Sequence, residues 1–145
     1  MKLSQLEKNA QAFFQSGFNC AESVSQAVLE AFSGEIPQDF PRVASAFGGG
    51  IGGSHEDACG TLTGGILAIG YLLGRDSANA NLQTAKDVAG RYREQFYQTY
   101  GTTQCSTLLD KFGDQVDDHE CKKMVGRMAV TLAKILKDAG LRMKK

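Results

Sequence analysis

The stretch Ala46–Gly65, AFGGGIGGSHEDACGTLTGG, holds eight of the chain's seventeen glycines and one of its four cysteines. Its reading decides the fold. Gly48, Gly50 and Gly53 satisfy G-x-G-x-x-G, the dinucleotide fingerprint. That fingerprint needs a strand before it and a βαβ unit around it. The residues before it, PRVASAF after IPQDFP, read as a short helix and not as a strand. No G-K-[ST] follows, so a phosphate loop of the Walker type is excluded as well. The glycines are left with three uses: turning the chain at positive φ, letting backbone approach another group, and presenting N–H groups to an anion. A hinge with close helix packing accounts for Gly64 and Gly65 equally well.

Outward from this stretch the dominant period is helical. Leu3, Leu6, Ala10, Phe13 and Phe14 share one face over 3–16. Cys20, Val24, Ala27, Val28 and Ala31 do so over 20–32. Cys59, Leu62, Ile66, Ile69 and Leu73 do so over 59–73. Cys121, Met124, Val125, Met128, Leu132, Ile135 and Leu136 do so over 121–136. These are the three- and four-residue spacings of a buried helical stripe. The more polar stretch 79–100, with Leu82, Val88, Phe96 and Tyr100, predicts a long outer helix. No segment shows period-two alternation between hairpin turns. The expected fold is all-α: a single compact helical domain of five to six helices spanning 1–145, with no linker.

Composition narrows the function classes. Sixteen basic residues balance sixteen acidic ones, for a formal net charge of zero. That lacks the basic footprint of a nucleic-acid binder, so no nucleic-acid partner is expected. The longest apolar run, GGILAIGYLLG, falls short of the ~20 residues a membrane helix needs, so no membrane insertion is expected. The basic end LRMKK reads as a solvated helix end. The N-terminus lacks the apolar stretch of a secretory signal, which places the chain in the cytoplasm. In that reducing compartment four cysteines are ligands, redox groups or inert core before they are structural disulfides.

Each cysteine stands just after a capping signal. Asn19 precedes Cys20, with Glu22 as the capping-box partner. Ser54 or Asp57 precedes Cys59, and Thr102 and Thr103 precede Cys105. Asp117 and Asp118 precede Cys121, with Glu120 after them. All four cysteines are therefore expected in the first turn of a helix. Free backbone N–H groups and the helix dipole there favour the thiolate. If the four helix starts converge, four sulfurs meet. The bland reading is that free cysteine simply fills space in a core. Spacing does not decide between them: 39, 46 and 16 positions separate successive cysteines, and no C-x-x-C pair occurs. His55 and His119 read as solvated loop histidines first and as ligands or proton carriers second. The acidic run DQVDDHE lacks calcium-loop order.

The four cysteines together with FGGGIGG…CGTLTGG resemble the redox-active family named for its C_GCAxxG_C_C pattern. The resemblance runs from about Gly17 to Val125. Cys20 lies in GFNCAESV, Cys59 in Cys59-Gly60-Thr61-Leu62-Thr63-Gly64, Cys105 in TQCSTLL and Cys121 in HECKKMV. Thr61 stands where the family has alanine; both are small. Members are often encoded near transporter genes, and a similar domain in split-Soret cytochromes is associated with an iron–sulfur cluster. The resemblance implies an iron–sulfur cluster, or another metal, on Cys20, Cys59, Cys105 and Cys121, serving electron transfer or redox sensing. Gly48, Gly49, Gly50, Gly52, Gly53 and Gly60 would then approach the sulfurs and tune them through N–H bonds. It does not by itself establish an enzyme activity. Alternatives are a metal-free thiol–disulfide pair, a structural zinc site in a binding module, and a self-associating helical domain with spectator cysteines. The redox partner is not identified, and a homo-oligomer stays open.

Overall fold

The computed structural model describes residues 1–145. Six α-helices follow one another: α1 (Leu3–Gln15), α2 (Cys20–Ser33), α3 (Gly60–Leu73), α4 (Gln83–Tyr100), α5 (Cys105–Phe112) and α6 (His119–Asp138). PRVASAF forms the expected short helix as a 3-10 segment, Arg42–Phe47. There is no strand, only an isolated antiparallel bridge between Ala58 and Gln104. The all-α expectation holds.

Two boundaries differ from the sequence reading. The outer helix begins at Gln83, not near 79, because Arg75 Nη1 donates to the carbonyls of Ala78 and Ala80 and holds that segment as a loop. LRMKK is not a helix end. Gly140 turns left-handed (φ +100°) and stops the helix, and the Lys144 N–H donates to the Ala31 carbonyl at 2.7 Å.

α2 sits at the centre, packed by α1, α3 and α6. Its Val24, Val28 and Leu29 meet Leu6 of α1, Ile69 of α3 and Met128, Leu132 and Leu136 of α6 in one buried cluster. So deep a helix buries polar side chains too. Ser25 Oγ donates to the Ala21 carbonyl and Gln26 Nε2 to the Glu22 carbonyl, so both are satisfied on their own helix.

α3 carries no charge on any face, and its glycines explain how it meets its neighbours. A Cβ on Gly64 would overlap the Ala21 carbonyl and lie 2.7 Å from Ala21 Cα. A Cβ on Gly65 would overlap the ring of buried Tyr92. Neither residue is a hinge. Both lie inside α3, where the missing side chain is filled by another element. Gly60 lies one turn before Gly64 on the same face, so the start of α2 rests on the start of α3.

The run GGGIGG winds the wrong way. Gly49, Gly50, Ile51, Gly52 and Gly53 all have φ between +63° and +70°. Four are glycine, which pays no Cβ penalty there; Ile51 is β-branched and does pay it. Its side chain is 45% exposed, so little packing offsets that cost. Ile51→Gly is expected to raise the unfolding free energy by about 1 kcal/mol in a urea titration. A loss of stability would mean that the Ile51 side chain is held by packing.

Candidate functional site

Four helix starts carry the cysteines, each by different local chemistry. Cys20 is the first residue of α2, fixed by the expected capping box: Glu22 N–H donates to Asn19 Oδ1 and Asn19 N–H to Glu22 Oε1, both at 2.9 Å. Asn19 Nδ2 reaches the Ser45 carbonyl, and Gly48 has no side chain because Asn19 fills that space. Cys105 is the first residue of α5, while Cys59 stands one position before α3, as its cap residue. Cys121 is the third residue of α6.

The other expected caps are not formed. Ser54 Oγ donates back to the Gly50 carbonyl and leaves α3 uncapped. Thr102 Oγ1 accepts from the Gln104 N–H, one position before the helix. Asp118 has a left-handed backbone (φ +52°) and makes no side-chain cap. Gln115 replaces it. Its Oε1 accepts the N–H groups of Glu120 and Cys121 at 2.9 and 3.0 Å, and its Nε2 donates to Cys121 Sγ at 3.5 Å.

Cys59 and Cys105 are tied together by backbone. Cys59 N–H donates to the Thr103 carbonyl at 2.7 Å, and Cys105 N–H to the Asp57 carbonyl at 2.9 Å. Ser106 N–H adds a bond to the His55 carbonyl and Gln104 Nε2 one to the Glu56 carbonyl. This small antiparallel pairing joins two helix starts 46 positions apart in sequence.

All four cysteines line one cleft of about 1020 Å³. Both histidines line it as well; each is exposed. All four thiols are free. Cys20 Sγ packs against Gly60, where a Cβ would overlap it, and so lies beside the residue that follows Cys59. Among the six glycines expected at the sulfurs, Gly60 makes room for Cys20 and Gly50 for the Cβ of Cys105. The Gly49 N–H helps to hold Cys20 below its usual value. Gly48 serves Asn19. Gly52 and Gly53 have nothing within 4 Å of where a Cβ would stand and form only the outer part of the turn.

Electrostatics then separate the four. The Cys59 hydrogen bond brings Cys20 down to about 6, assisted by the N–H groups of Gly49, Ala21 and Cys20 itself and opposed by burial. Cys59 is pushed well above its usual value, first by its hydrogen bond with Cys20, then by burial and by the Cys20 charge. Burial, then the charges of Cys20 and Cys121, lift Cys105 to about 11. Cys121 is raised by burial, with Gln115 opposing. The expectation that every first turn favours a thiolate therefore holds for one cysteine. At Cys105 and Cys121 desolvation and neighbouring charges outweigh the helix start, and at Cys59 the hydrogen bond with Cys20 and desolvation do.

Sequence reasoning missed two further residues. Gln115 carries no signal six positions from Cys121. Thr61 is fully buried, its carbonyl accepts from Tyr92 Oη at 2.8 Å, and its hydroxyl has no partner.

The donor chemistry suits a soft metal group, since four thiols line one cleft. Cys20 and Cys59 stand at the adjoining starts of α2 and α3, and Cys105 and Cys121 line the same cleft. No three of the Cys, His, Asp and Glu side chains form a ligand group for one ion. Any four-thiolate group, zinc or iron–sulfur, would need Cys105 and Cys121 to close on Cys20 and Cys59. No helix is long and apolar enough to cross a membrane.

A family model described as "Putative redox-active protein (C_GCAxxG_C_C)" matches residues 18–135. The chain belongs to that family. Neither the curated proteins nor the solved structures contain a match.

Proposed function

We propose that this member of the C_GCAxxG_C_C family performs two-electron thiol–disulfide exchange through Cys20 and Cys59. One juxtaposition carries the reading: Cys20 Sγ, at the start of α2, packs against Gly60 beside Cys59 at the start of α3, and the electrostatics of the pair lower Cys20 and raise Cys59. That is the division of labour a dithiol needs, an attacking thiolate beside a protonated resolving thiol.

The steps balance. The Cys20 thiolate attacks one sulfur of a substrate disulfide, forming a mixed disulfide and releasing a thiolate. The Cys59 proton passes to that leaving thiolate. Cys59, now ionised, attacks Cys20 Sγ, breaks the mixed disulfide and releases the second substrate thiolate, which takes a proton from water. The substrate disulfide gains two electrons and the protein ends with a Cys20–Cys59 disulfide. An external dithiol restores it by the reverse exchange.

A second reading is an iron–sulfur group on Cys20, Cys59, Cys105 and Cys121, favoured by their sharing one cleft. Such a group supplies one-electron transfer or sensing. One preparation separates the two. The protein is purified without oxygen, and its visible spectrum, iron, sulfide and zinc are measured. Thiols are then counted before and after mild oxidation, with the linked peptides mapped by mass. The expected result is a colourless protein that loses two thiols reversibly and yields the Cys20–Cys59 peptide pair. Stoichiometric iron and sulfide, with visible absorption lost in Cys59→Ala, would transfer the function to the cluster.

A further inference from the structure

The acidic run DQVDDHE, residues 114–120, lines the cleft that holds the four cysteines. Gln115 fixes it there: Nε2 donates to Cys121 Sγ at 3.5 Å, and Oε1 accepts the N–H groups of Glu120 and Cys121. Four carboxylates, Asp114, Asp117, Asp118 and Glu120, stand around the cleft against one ammonium, Lys122. The chain as a whole balances sixteen charges of each sign, so the excess is local. Lys122 turns to α1, where its Nζ donates to Gln15 Oε1 at 3.1 Å. The chain's two salt bridges are Arg91–Asp138 and Lys123–Glu120. Asp114, Asp117 and Asp118 are therefore exposed carboxylates with no cation beside them. In the same loop Val116 is 81% exposed, the most exposed large apolar side chain of the protein, and Phe14, Phe18 and Leu109 add further apolar lining.

We propose that the cleft selects a disulfide carried on a cationic peptide segment, whose lysine or arginine side chains meet Asp114, Asp117 and Asp118 while an apolar neighbour covers Val116. This rests on the dithiol reading above and names the substrate class of that site. A cleft lined by one sign of charge raises the local concentration of oppositely charged substrate and turns away the like-charged one. The carboxylates thus decide which disulfide arrives, and the exchange itself is unchanged: the peptide disulfide is reduced to two thiols and the protein ends with the Cys20–Cys59 disulfide. Size points to a peptide. A cleft of about 1020 Å³ has the capacity of a site for a ligand far larger than a two-carbon disulfide, which would leave Val116 bare.

The test uses the reduced full chain, without oxygen, and three disulfide-linked peptide dimers of equal length. The cysteine is flanked by two lysines, two serines or two glutamates. Release of peptide thiol is followed by chromatography, and each rate is divided by that of the same dimer with dithiothreitol at the same salt, which removes intrinsic reactivity. At low salt the lysine dimer should outrun the glutamate dimer by about tenfold, and near 0.5 M salt the preference should fall to about twofold. Asp114→Asn/Asp117→Asn/Asp118→Asn removes the charge and keeps the shape, and asparagine tolerates the left-handed backbone of Asp117 and Asp118 (φ +52°). This variant should lose most of the low-salt preference while reducing the serine dimer at the wild-type rate. Glu35→Gln/Asp39→Asn/Asp76→Asn changes net charge equally at exposed positions outside the cleft, and should keep the preference. Cystamine, equally cationic but without a peptide, should lag the lysine dimer by about fivefold, since no apolar group covers Val116. Equal rates for the lysine and glutamate dimers, a preference indifferent to salt, or one that survives the cleft variant or is lost in the control would each overturn the proposal while leaving the dithiol reading intact. Cystamine as fast as the lysine dimer would overturn the assignment to a peptide. If the wild type reduces none of the dimers, both the proposal and the dithiol reading fall.

Discussion

Cys20→Ser is expected to abolish disulfide exchange, whereas Cys59→Ser should react once and stop as a stable mixed disulfide. The asymmetry follows from where the charge resides. With Cys20 near 6 and Cys105 near 11, Cys20 is almost wholly thiolate at neutral pH and Cys105 scarcely at all. Thiolate population alone favours Cys20 by roughly 10⁴. Nucleophilicity falls with basicity and returns about two powers of ten. A margin on the order of 10- to 100-fold is left, and the raised values of Cys59 and Cys121 leave neither as a replacement attacker. The pH dependence has a fixed sign: the reactive form is lost as pH falls, so Cys20 alkylation should be flat above neutrality and half-maximal near pH 6. In Cys59→Ala the principal stabilising donor is gone, and the midpoint should move up toward the ordinary thiol value of 9.0. Iodoacetamide labelling across pH, with Cys20 quantified by mass, reads both. A midpoint that ignores Cys59→Ala would mean the two sulfurs do not communicate.

Those expectations could not have been written from the sequence. Helices were legible because burial writes a three-to-four-residue apolar period, and the cap at Asn19 because a capping box is local. The meeting of the cysteines is non-local. Cys59 and Cys105 are joined by backbone groups of residues 55–59 and 103–106, which any side chains there could have supplied. The motif Cys59-Gly60-Thr61-Leu62-Thr63-Gly64 names the residues but not their uses. Gly60 is the space taken by Cys20, Gly64 the space taken by Ala21, and Thr61 holds an idle hydroxyl. Composition equally hid that Gly49–Gly53 is a left-handed turn, in which the Gly49 N–H helps to lower Cys20 while Gly52 and Gly53 stand clear of other groups. One physical error was general. Counting helix-start N–H groups gave four thiolates, but a buried thiol ionises only when those donors and a partner sulfur together exceed its desolvation, and that happens once.

Gly64→Ala should be the most disruptive single methyl in the chain. Its Cβ would enter the Ala21 backbone, overlapping the carbonyl and approaching Cα to 2.7 Å, and neither atom can rotate away as a side-chain end would. α2 must lift from α3, and α2 is the helix around which α1, α3 and α6 pack. A cost of about 3 kcal/mol is expected, at the upper end for overpacking, or roughly 10 °C in melting temperature. Gly70→Ala in the same helix is the control. Nothing lies within 4 Å of its Cβ, so the usual helix preference for alanine should raise stability by about 0.5–1 kcal/mol. The functional consequence is separable from the global one. Ala21 adjoins Cys20, so lifting α2 removes Cys20 from the Cys59 thiol and from the Gly49 N–H. In Gly64→Ala still folded at low temperature, Cys20 should lose its acid-stable reactivity and alkylate like an ordinary thiol. If Gly64→Ala loses stability but keeps a Cys20 midpoint near 6, the sulfur contact is held from the Asn19 side by the capping box. The Gly60–Gly64 face would then serve packing alone. If both are lost together, the close approach of α2 to α3 is what creates the reactive thiolate.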